Sequence, residues 1–160
     1  MKITRKPLLA AAAAFALLTA CASENNASGT NAPQTVAAGQ SLVIEVADVT
    51  DDAGFYPVTV DGTSMEVIAV KAPDGTIRTA LNTCQVCNGA AKAYFLQVGD
   101  KLQCQNCKNT FTMDMVETTS GGCNPVPLFD KDKTVTAQTI TVQYDTLKAN
   151  AAYFPANWKK

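Results

Sequence analysis

The chain of 160 residues contains no histidine and one tryptophan, Trp158, and only 17% of it is charged. Without imidazole there is no Ser-His or Cys-His catalytic pair, no histidine base and no histidine metal ligand. Cysteine, carboxylate, lysine and tyrosine are left as candidate reactive groups. Basic charge is scarce as well. Lys2, Arg5 and Lys6 are three of the thirteen cations and precede Cys21, whereas all fourteen acids follow it, so the chain beyond that cysteine carries a net charge of −4. Such a balance argues against nucleic acid as a partner, because a nucleic-acid binder presents a basic face. Glu66 and Asp74 have no paired acid at a readable spacing, which removes support for glycosidase-type catalysis. Neither a phosphate-cradling glycine loop nor a long internal repeat is found.

One long apolar run is present, over residues 7–20, behind the basic residues Lys2, Arg5 and Lys6. It is too short to span a bilayer as a mature helix. It closes with Leu18-Thr19-Ala20-Cys21, the pattern of a bacterial lipoprotein signal cleaved so that Cys21 becomes the acylated N-terminus. Each buried acyl CH₂ contributes about 0.8 kcal/mol, so several chains on one cysteine hold a domain firmly at a membrane. Residues 22–40 are mostly small and polar with one charge, Glu24, and too poor in large apolar groups to pack. The expected organisation is a lipoprotein signal peptide over 1–20, a lipid-anchored flexible tether over 21–40 and a single domain over 41–160. The expected location is the extracytoplasmic face of a bacterial cell envelope.

From Ser41 the pattern has period two. Leu42, Ile44 and Val46 fall on one face and Val43, Glu45 and Ala47 on the other, which predicts a strand. Asp61-Gly62 sits between Val58-Thr59-Val60 and residues 65–70, and Gly99-Asp100 sits between 94–97 and 101–103. Both read as hairpins, and Pro73-Asp74-Gly75 reads as a turn before 76–81. Residues 134–144 read as one late strand with a bulge near Gln138-Thr139, where the apolar phase shifts by one. Only 146–152 looks helical. The expected fold is mostly β: a small antiparallel sheet or sandwich with two Cys-bearing loops and a short C-terminal helix.

The central constellation is Cys84-Gln85-Val86-Cys87 and, after sixteen residues, Cys104-Gln105-Asn106-Cys107. Two thiolates spaced by two residues can face one metal from a tight turn whose backbone N–H groups point at the sulfurs. Two such turns at the tips of neighbouring hairpins complete an S₄ set for zinc or iron, or ligate an iron–sulfur cluster. Outside the cytoplasm the same pairs could instead form disulfides or a dithiol exchange site. Acylation of Cys21 leaves five cysteines, an odd number that a pure disulfide framework cannot satisfy. No clear helix starts within Asn88-Gly89-Ala90 to activate an exchange thiol. Cys123 lies in Ser120-Gly121-Gly122-Cys123-Asn124-Pro125-Val126-Pro127, a loop suited to cover a metal site, and is a candidate additional ligand or redox thiol. Tyr94, Phe95 and Phe111 read as an apolar shell. Met65, Met113 and Met115 read as gap-fillers rather than Cu(I) ligands, and Asp114, Glu117, Asp130 and Asp132 as solvated loop charges.

Three stretches resemble the FtrD-like family of membrane iron–sulfur proteins over residues 57–130. They are Asp74-Gly75-Thr76-Ile77-Arg78-Thr79-Ala80-Leu81 followed by Cys84-x-x-Cys87, Gly99-Asp100-x-Leu102-x-Cys104-x-x-Cys107-x-x-x-Phe111, and Gly121-Gly122-Cys123-Asn124-Pro125-x-Pro127-Leu128. The resemblance implies a cysteine-ligated metal domain of bacterial iron transport that passes electrons, with a membrane iron permease or redox protein as partner. It places the family's five cysteines on Cys84, Cys87, Cys104, Cys107 and Cys123. The same stretch is similar to a Rieske domain, which implies two loops at the tip of an antiparallel sheet. There the second ligand of each pair is histidine, and here it is cysteine. With four thiolates and no imidazole, an iron–sulfur cluster should have a potential nearer roughly −400 mV than a Rieske centre's. The expectation is therefore a lipid-anchored electron-transfer or iron-uptake accessory rather than an enzyme. A structural zinc module of zinc-ribbon-like build and a dithiol/disulfide oxidoreductase are the alternatives.

Overall fold

The structure, a computed structural model, describes residues 31–118 and 120–160. The expected signal peptide, Cys21 with its lipid, and residues 21–30 of the tether lie outside the described residues. The described residues form eleven strands and one α-helix, in order: β1 (Gln34–Thr35), β2 (Ser41–Glu45), β3 (Gly54–Val60), β4 (Thr63–Lys71), β5 (Ile77–Cys84), β6 (Phe95–Val98), β7 (Lys101–Cys104), β8 (Thr110–Thr112), β9 (Pro125–Pro127), β10 (Thr134–Val135), β11 (Thr139–Gln143) and α1 (Tyr144–Ala149). They form a five-stranded sheet ordered β1-β3-β4-β5-β9 and two three-stranded sheets, β10-β11-β2 and β6-β7-β8. The fold is thus mostly β with a short helix near its C-terminal end. Among the described residues no helix is long and apolar enough to cross a membrane.

The five-stranded sheet is the middle layer, and β4 shows why. Its residues alternate between two cores, with Met65, Val67 and Ala69 entering one and Ile68 and Val70 the other. Burial on both faces explains its nearly unbroken apolar run, since only a strand covered on two sides buries successive residues. The first core joins this sheet to β2 and β11 through Leu42, Ile44, Ile140 and Val142, with Leu147 of α1 closing it. The second joins it to β6-β7-β8 through Phe95, Leu102 and Phe111. The β3–β4 hairpin turns on Asp61 and Gly62, both at positive φ (48° and 81°), with Val60 opposite Thr63. That conformation matches the twist of the flanking strands, and Asp-Gly adopts it readily.

Several expectations need correction. Residues 31–40 are not all tether: β1 pairs in parallel with β3, and Val36 is buried. The strand predicted from Ser41, β2, ends at Glu45, where a 3₁₀ turn, Val46–Asp48, follows. Residues 134–144 are two antiparallel strands, not one bulged strand. The Thr136 hydroxyl accepts from the N–H groups of Gln138 (3.2 Å) and Thr139 (2.9 Å) and so closes the turn between β10 and β11. The helix begins two residues earlier than expected, at Tyr144, and a 3₁₀ turn, Ala151–Tyr153, follows it.

Candidate metal centre

Cys84 ends β5 and Cys104 ends β7, both buried among Ala80, Phe95, Leu102 and Phe111 of the second core. Each is followed by a turn that brings a second, half-buried cysteine, Cys87 or Cys107, back beside it. The four sulfurs all lie within 4.8 Å of one another. Local backbone bonds build each turn. In the first, the Cys87 N–H points at Cys84 Sγ (3.4 Å), and Cys84 N–H donates to the Ala93 carbonyl (2.8 Å). In the second, Lys108 N–H donates to the Cys104 carbonyl (2.9 Å), and Lys108 takes φ 64° to close the turn. The second turn is the hairpin tip between β7 and β8, as the spacing predicts. The first is not a hairpin tip, because β5 and β6 belong to different sheets and the turn is a crossover between them.

The environment separates the thiols by depth. Burial raises the pKa of Cys84 and Cys104 above the usual cysteine value. Burial also acts upward on Cys87, but hydrogen bonds from Asn106 and the three neighbouring cysteines outweigh it and hold that thiol below its usual value. A metal ion binds thiolates, so loading the site displaces the firmly held protons of the buried pair. Phe95 and Phe111 pack edge to face at 5.8 Å beside these cysteines and limit water there. Tyr94 does not join that shell: it packs on Trp158 at the first core.

Cys123 sits in the loop 120–124 that lies against the first turn. Its carbonyl accepts from Cys84 Sγ (3.4 Å), and the Asn124 carbonyl accepts from Gln85 N–H (3.1 Å), while the Gln85 side chain donates to the Pro125 carbonyl (3.0 Å). The loop is thus bound to the site through its backbone, and the Cys123 sulfur is not part of the four-sulfur group. All five described cysteines are free thiols. Met65 fills the first core, Met113 is buried in the second and Met115 packs against it, as gap-filling requires. Glu117 is not a solvated charge: it accepts from the Thr79 N–H (2.7 Å) and from the buried ammonium of Lys133. Glu66 is likewise buried within β4 and pairs with Lys159 at 2.7 Å. Their partners are remote in the chain, so no local pattern reveals either pair.

Four soft sulfur donors in a compact group, with an apolar wall and backbone N–H groups turned toward the sulfurs, fit an iron or zinc centre and exclude hard cations that want oxygen. A family model described as membrane iron-sulfur containing protein FtrD-like matches residues 39–154. No curated protein matches the chain. Among solved structures, it is similar to the quaternary ammonium Rieske monooxygenase CntA in complex with an inhibitor, with 14% sequence identity and a TM-score of 0.41. That similarity covers 66% of this chain and 32% of the other, so the chain spans about a third of that protein's length.

Proposed function

Since the chain belongs to the FtrD-like family of membrane iron–sulfur proteins, we propose that Cys84, Cys87, Cys104 and Cys107 hold its iron–sulfur group and that the domain serves as an electron-transfer accessory to iron uptake. The observation that carries this reading is the convergence of four sulfurs within 4.8 Å from two turns separated by sixteen residues of chain. When bound, the group supplies one-electron exchange. The protein's residues do the rest. Cys84 and Cys104 anchor the group on the ends of two strands, and Phe95, Leu102 and Phe111 keep water from its buried side. Cys87 and Cys107 stand half-exposed on the outer side, which leaves a short path to a partner. A lipid on Cys21 and a tether across the following residues would hold the domain at the outer face of a membrane, within reach of a permease or a second redox protein.

The test is to produce the full chain anaerobically and measure iron, acid-labile sulfide, the visible spectrum and the midpoint potential. Iron with sulfide, a chromophore bleached on reduction and a potential below zero are expected. Cys104→Ser should abolish the chromophore and Cys123→Ser should retain it. Stoichiometric zinc without sulfide would overturn the electron-transfer reading and make the cysteines a folding device. Mass spectrometry of the membrane-bound form tests the anchor, which fails if the chain starts at an unmodified Met1.

A further inference from the structure

Cys84 and Cys104 end strands of different sheets, so no ladder runs between the two cysteine pairs, only two isolated backbone bonds, Cys84 N–H to the Ala93 carbonyl (2.8 Å) and Gln105 N–H to the Tyr94 carbonyl (2.8 Å). A side chain reinforces this thin connection. Asn82 is fully buried and stands on the same face of β5 as Cys84, two residues away. Its amide lies across the backbone of Phe95, where Oδ1 accepts from the Phe95 N–H (2.7 Å) and Nδ2 donates to the Phe95 carbonyl (3.2 Å). Phe95 in turn is the residue opposite Cys104 in the β6–β7 ladder. A primary amide has the donor and acceptor of a peptide group, so Asn82 stands in for the missing strand and ties the first cysteine's strand to the second's.

The orientation of that amide is fixed from behind. Its other Nδ2 proton goes to Glu66 Oε2, and a carboxylate accepts only, so a flipped amide would set oxygen against oxygen. Buried Glu66 would be costly as an unpaired charge. Lys159 pairs with both of its oxygens, at 2.7 and 3.0 Å. The Lys159 ammonium also lies 5.2, 5.3 and 5.7 Å from the ring centroids of Trp158, Tyr94 and Phe55, a cage that favours a partly desolvated cation. The segment bearing it holds the connection between the cysteine pairs, with Lys159 N–H donating to the Ala91 carbonyl (2.9 Å).

We propose that Asn82 is the positioning residue that sets the placement of the two cysteine pairs relative to each other, and that Glu66 and Lys159 lock its amide. The proposal rests on the reading that all four cysteines share one metal group. In the iron-loaded full chain, Asn82→Ala should lower metal affinity by about 10- to 100-fold, the order lost when a group that orients ligands is removed, read as faster metal loss to a chelator, and should shift the visible spectrum. Lys159→Gln should act in the same direction and Lys159→Arg should restore both readouts. Should Asn82→Ala fail to fold, the Lys159 pair carries the test. Val142→Ala, buried in the β10-β11-β2 sheet on the opposite face of the middle layer, is the control for general destabilisation. Hydrogen exchange of the Phe95 amide in the metal-free chain should quicken in Lys159→Gln and not in Val142→Ala. The positioning role is overturned if Lys159→Gln keeps the wild-type spectrum and rate of metal loss, or if Val142→Ala at matched Tm loses metal as fast. A wild-type chain that binds no metal refutes the shared site instead, and the exchange of Phe95 still judges the lock.

Discussion

Asp74 closes the turn between β4 and β5 through its own side chain. Its Oδ1 accepts from the Thr76 hydroxyl and N–H (2.6 and 2.9 Å), and its Oδ2 pairs with Arg78 at 2.6 Å. These bonds hold its pKa at about 2, down from the ordinary 3.8. A carboxyl depressed on folding adds stability above its unfolded value and loses it as pH falls through the folded one. Asp74→Asn should therefore lower Tm at neutral pH, with the gap to wild type narrowing below about pH 4 and closing near pH 2; a gap independent of pH over that range would refute it. The turn itself was legible, because Pro73-Asp74-Gly75 are neighbours in the chain. Both cysteine pairs were legible for the same reason. Glu66 was not: Lys159 is 93 residues away, and no window along the chain contains both.

Among the elements, the hairpins were readable where turn chemistry and alternation agree, as at Asp61-Gly62 and Gly99-Asp100. The β10–β11 pair was not, because Thr136 makes its turn with a side-chain oxygen and without glycine or proline. β-Branched residues on both sides of Thr136 then look like one continuous strand. Thr136→Val, which keeps the shape and removes those bonds, should cost about 0.5–1.5 kcal/mol in urea unfolding. A loss indistinguishable from zero would mean that β10 and β11 hold their turn by strand pairing alone. β1 was missed because two residues carry no period, and its anchor, Val36, gains meaning only once β3 lies beside it.

At the scale of the whole molecule, two cores share one middle sheet, and the described cysteines belong to only one of them. Composition and period two pointed to a β domain, but neither told that its sheets stack in three layers. The division has an energetic consequence, because metal binding adds its free energy to the part of the fold that the ligands hold together. Chelation should lower Tm, and hydrogen exchange should quicken first in β6 and β7 while β2 and β11 keep their protection; uniform loss of protection would show that the cores melt as one unit. The borders of the middle sheet matter in another way. One edge is the two-residue β1, and the other is β9, where Pro125 and Pro127 have no N–H to offer. A newcomer strand finds a ladder too short on one side and stripped of donors on the other, so the middle sheet offers a second copy little template for pairing edge to edge.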